Sequence, residues 1–322
     1  MQLTNNTRPF IEAEVYSSFI LTNMHDGLLP ETFFRNVGDF GSGTTLNIKT
    51  IGDVKIQDAA EDTALEYSPI DTGEVHLSIT DYVGDAWFVG DDLREDGSQI
   101  EQLMAARAAE STRALQERFE SRFLEVTESV MPKGAASKVN NFPHRFVPVA
   151  QGGKHKIDLA SFINMKLAFD KAEVPMAGRV AIIDPICAAT LDGLVGIVSN
   201  ATPFAERIME NGFDREHQFL MQLYGWHIIT SNRLAKVAIE AAEKTFAGEA
   251  STATADGVAN VFMCIADDNT KPIMMAWRRM PTVEGDRNVQ LRRDQFQVTS
   301  RYGFGAQRID TLGVVMTDAY AH

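Results

Sequence analysis

Residues 98–131 carry an unbroken helical pattern that is too long to fit inside a small compact core. Ser98 and Glu101 form a capping box, in which the two side chains satisfy free backbone N–H groups at the start of a helix. Pro132 and Gly134 end the pattern. At about 1.5 Å per residue the helix is about 50 Å long, so it must cross the whole folded unit. Its apolar positions recur at helical spacing: Ile100, Met104, Ala108, Leu115, Phe119, Phe123, Val126 and Val130.

The segment before this helix, residues 44–90, alternates apolar and polar residues in the manner of β-strands. Between its two halves, residues 57–74 contain few large apolar side chains and no Lys or Arg. The pattern predicts a long two-stranded hairpin with an acidic tip. A lone two-stranded hairpin is marginally stable in water, so this one needs another surface to lie on. The acids of the tip region are Asp58, Glu61, Asp62, Glu66, Asp71 and Glu74.

Residues 1–40 are predicted to be an arm rather than a domain. A short helix is expected to begin near Phe10, and Phe33 and Phe34 follow before a run of glycines breaks any regular element. The segment has too little apolar surface for a core of its own. Its aromatic side chains therefore need a second surface, either in the same chain or on a neighbouring chain.

The remainder of the chain alternates helices and strands. Asp158 is expected to cap a helix, and Asp184 with Pro185 to start another, because Asp favours the cap and Pro the first turn. Further helices are predicted at residues 204–211 and in the Ala-rich segment 234–246. Strands are predicted at residues 178–183, 226–230, 261–266, 273–277, 296–298 and 313–316.

Composition limits the classes of function. The chain has 322 residues, enough for one or two closely joined domains. Its formal net charge of -14 argues against a surface that grips DNA tightly. The N-terminus does not have the pattern of a signal peptide, and no apolar run is long enough to span a bilayer, so no membrane partner is expected. Cys187 and Cys264 lie in apolar surroundings and are expected to be buried thiols, with a disulfide as the less favoured alternative.

No motif predicts a catalytic, cofactor-binding or metal site. The glycines at positions 38, 41 and 43 lack the Lys-Ser/Thr of a phosphate loop, and the histidines lack zinc-protease spacing. His144 and His155 could converge with Asp158, but a solvated loop is the commoner setting for such residues. His227 lies among apolar strand residues and is expected to be a hydrogen-bonded core histidine. An enzyme with a dispersed site is therefore the weaker hypothesis.

Four stretches in fixed order resemble the Hong Kong 97-like major capsid proteins of tailed double-stranded DNA phages. Residues 223–234 (LYGWHIITSNRL) resemble a strand of the family's axial domain, and residues 292–296, 300–304 and 308–315 resemble its closing strands. Each stretch alone is weak evidence of the resemblance. The resemblance rests on the four stretches occurring together in this order. It implies an α+β fold with an N-terminal arm, an extended β-hairpin loop, a long spine helix and a mixed axial domain.

The resemblance also implies a division of the chain. Residues 1–40 would be the N-terminal arm, and residues 41–95 the extended loop with the entry to the peripheral domain. Residues 96–150 would be the peripheral domain, with the spine helix at 98–131. Residues 151–290 would be the axial domain, and residues 291–322 the return to the peripheral and axial core.

By the same resemblance, the chain would assemble with itself through hexamers and pentamers into an icosahedral phage head. That head would enclose double-stranded DNA without sequence-specific binding. Scaffolding and portal proteins, and in some phages a decoration protein, would be further partners, and no cofactor is implied. The chain would reside in the virion, and in the host cytoplasm during assembly. Lys49 and Lys55 lie away from the hairpin tip and no partner Asn is matched, so a non-covalent shell is expected. The chain shows no helical, charged N-terminal extension, which implies a separate scaffolding protein.

Charge suggests where copies of the chain would meet. The acidic tip, with Glu61, Asp62 and Glu66, is expected to dock against arginines of a neighbour, and Phe10, Phe33 and Phe34 are further candidates for contacts between subunits. Surface acids are more often simply solvated, which is the alternative. The candidate arginines are Arg278, Arg279, Arg287, Arg292 and Arg293.

Three competing classes of protein remain open. An encapsulin-like compartment would share the fold but package a protein cargo. An enzyme would present a concave pocket with convergent polar groups. A tail or adaptor component of a phage would form rings or tubes instead of closed shells.

Overall fold

A computed structural model describes residues 33–38, 43, 45–51, 72–92, 100–198 and 219–320. The predicted helix at 204–211, Phe10 and the acids Glu61, Asp62 and Glu66 lie outside these ranges. In chain order, the strands and helices are β1 (Arg35–Asn36), β2 (Thr45–Ile51), β3 (Thr72–Ser78), β4 (Asp81–Gly90), α1 (Ile100–Val130), β5 (Lys138–Val139), β6 (Phe142–Pro143), β7 (Arg145–Phe146), α2 (Leu159–Lys171), β8 (Arg179–Ile183), α3 (Pro185–Val198), β9 (Phe219–Leu223), β10 (Trp226–Thr230), β11 (Gly257–Cys264), β12 (Ile273–Asn288), β13 (Arg293–Ala306) and β14 (Leu312–Asp318).

Helix α1 is the long helix that the sequence predicts, and it is about 46 Å long at about 1.5 Å per residue. Its apolar stripe is buried, with Leu115, Phe119 and Phe123 each at most 6% exposed. Phe119 stacks on Trp277 of β12 with ring centroids 5.4 Å apart. The helix therefore packs against one face of a sheet.

That sheet has four strands in the order β1-β12-β13-β4, and we call it the four-stranded sheet. One face packs on α1 through Val83, Val283 and Val298. Two arginines of α1 fasten the helix to β4: Arg107 donates to both carboxylate oxygens of Asp85 at 2.9 and 2.7 Å, and Arg122 donates to Asp81 at 3.1 Å.

The second sheet has six strands in the order β7-β14-β11-β8-β10-β9. Helices α2 and α3 cover one face, where Phe162, Met165 and Leu191 meet Trp226 and Phe262. The other face shares a hydrophobic cluster with α1 and the four-stranded sheet. One core therefore joins the two sheets beneath the long helix.

Both predicted helix starts are confirmed. Asp158 caps α2 by accepting a hydrogen bond from the backbone N–H of Ser161 at 2.8 Å. Asp184 does the same for α3 with the N–H of Ile186 at 3.0 Å, and Pro185 is the first helical residue.

The predicted helix at 234–246 is wrong. This segment is irregular, and its backbone bonds run to the start of β11 and the loop before it instead of along a helix. The Val237 N–H donates to the Gly257 carbonyl at 3.0 Å, and the Ile239 N–H to the Thr254 carbonyl at 2.9 Å. Buried Leu234 and Ile239 gain more from packing in the core than the alanines gain from their helical preference.

Strands β12 and β13 are much longer than the predicted 273–277 and 296–298. Pro281 and the charged residues after it obscure the alternating pattern that predicts a strand. A proline is also unexpected within a strand, because it has no backbone N–H to donate to a neighbouring strand. The register shifts between Arg279 and Thr282, which accommodates Pro281. The division of the chain into domains stays a prediction, and its boundary after residue 290 falls inside the β12–β13 hairpin.

Candidate inter-subunit surfaces

Phe33 and Phe34 lie in the core of their own chain. Each is 2% exposed, and Phe34 packs its ring against Phe119 and Phe123 of α1 at centroid distances of 5.8 and 5.9 Å. Just after them, β1 pairs in parallel with β12, with Arg35 opposite Met274. The sequence left open whether these aromatic residues pack on their own chain or on a neighbouring chain. In the structure they pack on their own chain. Little of their surface therefore remains for a neighbour.

Strands β2 and β3 form the predicted hairpin, paired from Thr45 opposite Ser78 to Ile51 opposite Thr72. The root of this hairpin lies on the four-stranded sheet, on the face opposite α1, which we call the open face. Leu77 and Ile79 pack there against Met274 and Ala276. The residues beyond Ile51 and before Thr72 include the acidic tip.

Glycine permits this close approach. A Cβ atom at Gly303 would lie 2.3 Å from the Ser78 carbonyl oxygen, a distance that backbone atoms cannot relieve without moving the hairpin. At Gly305 the nearest atom would be Leu77 Cδ1 at 2.9 Å. The hairpin is therefore held against β13 by contact of backbone with backbone.

Beyond the hairpin root, the open face continues along β4 with Tyr82, Gly84, Ala86 and Phe88, all exposed. Cross-strand partners in an antiparallel sheet point to the same face. Arg301, Gln297 and Gln295 of β13 therefore share this face, opposite Tyr82, Ala86 and Phe88 respectively. The described part of the chain provides no helix to cover this stretch of the open face.

The turn between β12 and β13 presents two apolar side chains, Val289 and Leu291, which are 77% and 57% exposed. Arg287 holds the base of the turn together, because it donates to Asp91 at 2.8 Å and to Asp294 at 3.0 Å. Both carboxylates act to raise the pKa of Arg287 above its ordinary value.

The two remaining arginines of the turn differ in setting. Arg293 places its guanidinium 4.4 Å from the centre of the exposed Phe88 ring, a cation–π contact. Arg292 is exposed and has a left-handed backbone (φ 50°), and its carbonyl accepts from the Asp91 N–H at 3.1 Å.

Arg278 and Arg279 come together with a third arginine that the sequence analysis did not single out, Arg301. With Thr80 and Tyr82, these three arginines line an open pocket of about 610 Å³ beside the hairpin root. We call it the arginine pocket. Arg279 and Arg301 are distant in sequence, and only the register of β12 on β13 makes them neighbours. Sequence reasoning missed Arg301 because that register depends on the bulge before Thr282.

A buried ionic cluster joins the end of α1 to the six-stranded sheet. The Arg145 side chain is fully buried and donates to Glu243 Oε1 at 2.7 Å and to Glu128 Oε1 at 2.8 Å. It also donates to the Glu128 and Met131 carbonyls at 3.2 and 3.3 Å. One guanidinium thus fastens α1, β7 and the 234–256 segment together.

Potentially reactive side chains are buried in structural settings. Both cysteines are free and buried, as expected, and burial raises the pKa of the Cys187 thiol to about 11. A thiol with so high a pKa is a poor nucleophile at neutral pH. In the described ranges, no group of three His, Cys, Asp or Glu side chains is placed to hold a metal ion. None of the helices in those ranges has the length and apolar character needed to cross a bilayer.

The predictions for three histidines are wrong. His144 and His155 are buried rather than solvated: His144 Nδ1 lies 3.0 Å from the Leu312 carbonyl, and the two ring nitrogens of His155 lie 2.9 and 3.1 Å from the Pro148 and Thr252 carbonyls. His227 is exposed rather than in the core, because the alternation along β10 turns its neighbours Trp226 and Ile228 inward.

Comparison with solved structures identifies the fold. The chain superposes on the capsid structure of the cyanophage P-SCSP1u with a TM-score of 0.65 at 13% identity, covering 88% of this chain and 86% of that one. For the cyanophage Pam1 capsid the TM-score is 0.60 at 14% identity, covering 93% of each chain. A virus-like particle from Pyrococcus furiosus gives 0.53 at 11% identity, covering 95% of this chain and 99% of that one.

No protein-family model matches the chain, and no curated protein matches it in sequence. The structural likeness extends over nearly the full length, so the chain has the α+β fold of phage capsid proteins. The predicted fold class is confirmed.

Proposed function

We propose that this chain is a major capsid protein, a structural subunit that assembles through hexamers and pentamers into the icosahedral head of a tailed phage. The observation that carries this proposal is the likeness to the P-SCSP1u capsid over 88% of this chain and 86% of that one. The match therefore extends over most of the chain and is not confined to one motif.

The surfaces of the subunit support an assembling role. A shell is built from many modest contacts repeated by symmetry, so its subunit needs several surfaces that a neighbour completes. The chain offers the hairpin β2–β3, the open face of the four-stranded sheet and the turn with Val289 and Leu291. None of these is a deep pocket suited to a small substrate.

Net charge supports enclosure of DNA without sequence-specific recognition. The formal charge of -14 gives little long-range attraction for a polyanion. The arginine-rich turn is also largely committed within the chain, since Arg287 bonds to two carboxylates and Arg293 lies on Phe88. We expect the subunit to form a closed shell that retains its contents by enclosing them and not by binding them tightly.

We propose no catalytic activity for the chain. The Cys187 thiol is buried with a raised pKa, and His144 and His155 are bonded to backbone carbonyls in the core. As a major capsid protein it would reside in the virion, and its partners would be further copies of itself together with scaffolding, portal and decoration proteins.

A second function, the shell of a protein-filled compartment, is favoured by the likeness to the Pyrococcus furiosus virus-like particle, which extends over 99% of that chain. The two functions differ in what the particle contains. A genome with a portal at one vertex indicates a phage head, and a packaged protein indicates a compartment.

The test is negative-stain microscopy of the purified chain, alone and with a candidate scaffolding protein. Closed polyhedral particles, hexameric capsomers or curved sheets support the proposal. Discrete monomers or dimers in every condition, or tubes and rings, contradict it.

A further inference from the structure

A bulge in β12 brings two consecutive arginines to the same pocket. Successive side chains of a regular strand point to opposite faces, so Arg278 and Arg279 would ordinarily lie on opposite sides of the sheet. Trp277 lies opposite Tyr302, however, and Arg279 lies opposite Arg301. Strand β12 therefore has one residue more than β13 at this point, and such a bulge redirects side chains. Both arginines line the arginine pocket, and Arg301 joins them from β13.

The strand pairing also places like charges side by side. Arg279 and Arg301 are cross-strand neighbours on the open face, and the Cβ atoms of such a pair lie about 5 Å apart. Like charges at directly opposite positions destabilise an antiparallel sheet. An anion bound between the two guanidinium groups would replace this repulsion with attraction.

The chain offsets only part of this positive charge. Arg279 donates to Glu284 and, at 3.0 Å, to the Thr282 hydroxyl. Arg301 is half-buried, and its side chain makes no hydrogen bond or ion pair in the described part of the chain. No acid is among the described residues that line the pocket. The donors of the Arg301 guanidinium are therefore available to a ligand.

The donors of the pocket suit a phosphate group. Each guanidinium is a planar fork of N–H donors that pairs with two oxygens of a phosphate or a carboxylate. Three such forks offer more donors than the two oxygens of one carboxylate can accept, whereas a phosphate group has more oxygens and can carry a higher charge. Thr80 and Tyr82 add hydroxyl donors to the lining. The volume of about 610 Å³ is in the range of sites for small molecules.

We propose that the arginine pocket binds a small phosphate-class oxyanion, such as pyrophosphate or the phosphate groups of a free nucleotide. Net charge favours a small anion over the backbone of DNA. The formal charge of -14 repels a long polyanion along its whole length, whereas a small anion in the pocket meets chiefly the local charge of the arginines. This inference goes beyond the shell function and does not depend on it, because every residue of the site belongs to one chain.

The first experiment is isothermal titration calorimetry of the unassembled chain with sodium pyrophosphate at constant ionic strength. The parent should bind a single pyrophosphate per chain. Arg301→Gln should weaken binding at least about tenfold, the loss expected for one hydrogen bond to a charged group. Arg308→Gln, at an exposed position outside the described lining, is the matched control and should bind as the parent does. No saturable binding to the parent, or equal affinities of the two variants, overturns the proposal.

Melting temperatures separate the loss of a ligand-binding group from the loss of structure. Without ligand, Arg301→Gln should melt at the same temperature as the parent or higher, because the substitution removes a cross-strand repulsion. Pyrophosphate should raise the melting temperature of the parent and of Arg308→Gln, since it binds the folded state, and should have little effect on Arg301→Gln. A lower melting temperature for ligand-free Arg301→Gln, with an unchanged response to pyrophosphate, would show that Arg301 is structural and contradicts the proposal.

Competition against bound pyrophosphate identifies the class of anion. Inorganic phosphate should displace it at higher concentration, and citrate, whose charges are carboxylates, should displace it less well than phosphate does. A short DNA duplex at the same concentration of phosphate groups should displace it least. Better displacement by citrate than by phosphate contradicts the phosphate preference, and better displacement by the duplex contradicts a site for small anions. Either failure leaves the shell function standing, because these measurements use the unassembled chain and microscopy tests the shell separately.

Discussion

Single residues at close contacts decide how the hairpin meets the sheet. We expect Gly303→Ala to lower the free energy of unfolding by about 1–3 kcal/mol, because the new methyl group would force the hairpin root away from β13. Hydrogen exchange of β2 and β3 should increase at the same time. Gly90→Ala is the control, since no atom lies within 4 Å of a Cβ there. Equal stability of the two variants would show that the hairpin does not rest on β13.

The buried Arg145 should matter more than a partly exposed arginine that also pairs with two carboxylates. Arg145→Ala leaves Glu243 and Glu128 with uncompensated buried charge, and we expect a loss of about 3–5 kcal/mol in urea unfolding. Arg233→Ala, which removes partly exposed ion pairs to Glu117 and Glu120, should cost about 0–1 kcal/mol. Similar losses for the two variants would contradict the structural role assigned to Arg145.

His144 should make the subunit less stable in acid. Burial lowers the pKa of His144 from its ordinary 6.5, although the Leu312 and Ala168 carbonyls and the Asp310 carboxylate act to raise it. The unfolded chain therefore takes up a proton near pH 6.5 that the folded chain does not. The stabilising contribution is complete above pH 6.5 and decreases as the pH falls from 6.5 through the lower folded pKa.

The measurement is the free energy of urea unfolding between pH 7.5 and pH 5, for the parent and for His144→Gln. The parent should lose more stability over this range than the variant. Equal pH dependence in the two proteins would mean that His144 does not titrate with unfolding.

Among the elements, the β2–β3 hairpin is the one for which we expect separate effects on folding and on the proposed assembly. Replacing residues 52–71 by an Asn-Gly turn keeps the β2–β3 ladder and its packing on the open face, because a two-residue turn suits an antiparallel pair. We expect this variant to fold with a cooperative thermal transition and to form no closed particles. A control keeps the full length but changes the six acids of residues 57–74 to Gln, which tests charge without length. Normal particles from the truncated chain would contradict the role of the hairpin.

The elements that could be predicted from sequence are those whose signals are local. The α1 pattern, the Asp158 cap and the Asp184-Pro185 start need only neighbouring residues, and all three helices appear as expected. Sequence reasoning found only parts of β12 and β13, because Pro281 interrupts the pattern of β12 and because β13 also pairs with the distant β4. It missed the irregular 234–246 segment, whose backbone bonds run to residues near the start of β11. The arginine pocket belongs to the second group. Arg278 and Arg279 could be selected by charge, but Arg301 required the strand register.

At the scale of the whole molecule, one core joins α1 to both sheets and leaves several surfaces open around it. The chain completes its interior and leaves parts of its periphery exposed, and this organisation agrees with the shell function that we propose. The likeness to phage capsids over nearly the full length agrees with this organisation.

Cryo-electron microscopy of the assembled chain is the decisive measurement for the proposed shell function. We expect a closed icosahedral particle with hexamers and pentamers, in which the hairpin of each subunit extends over the four-stranded sheet of an adjacent copy. A uniform population of small oligomers, or a particle in which each hairpin contacts only its own subunit, would contradict it.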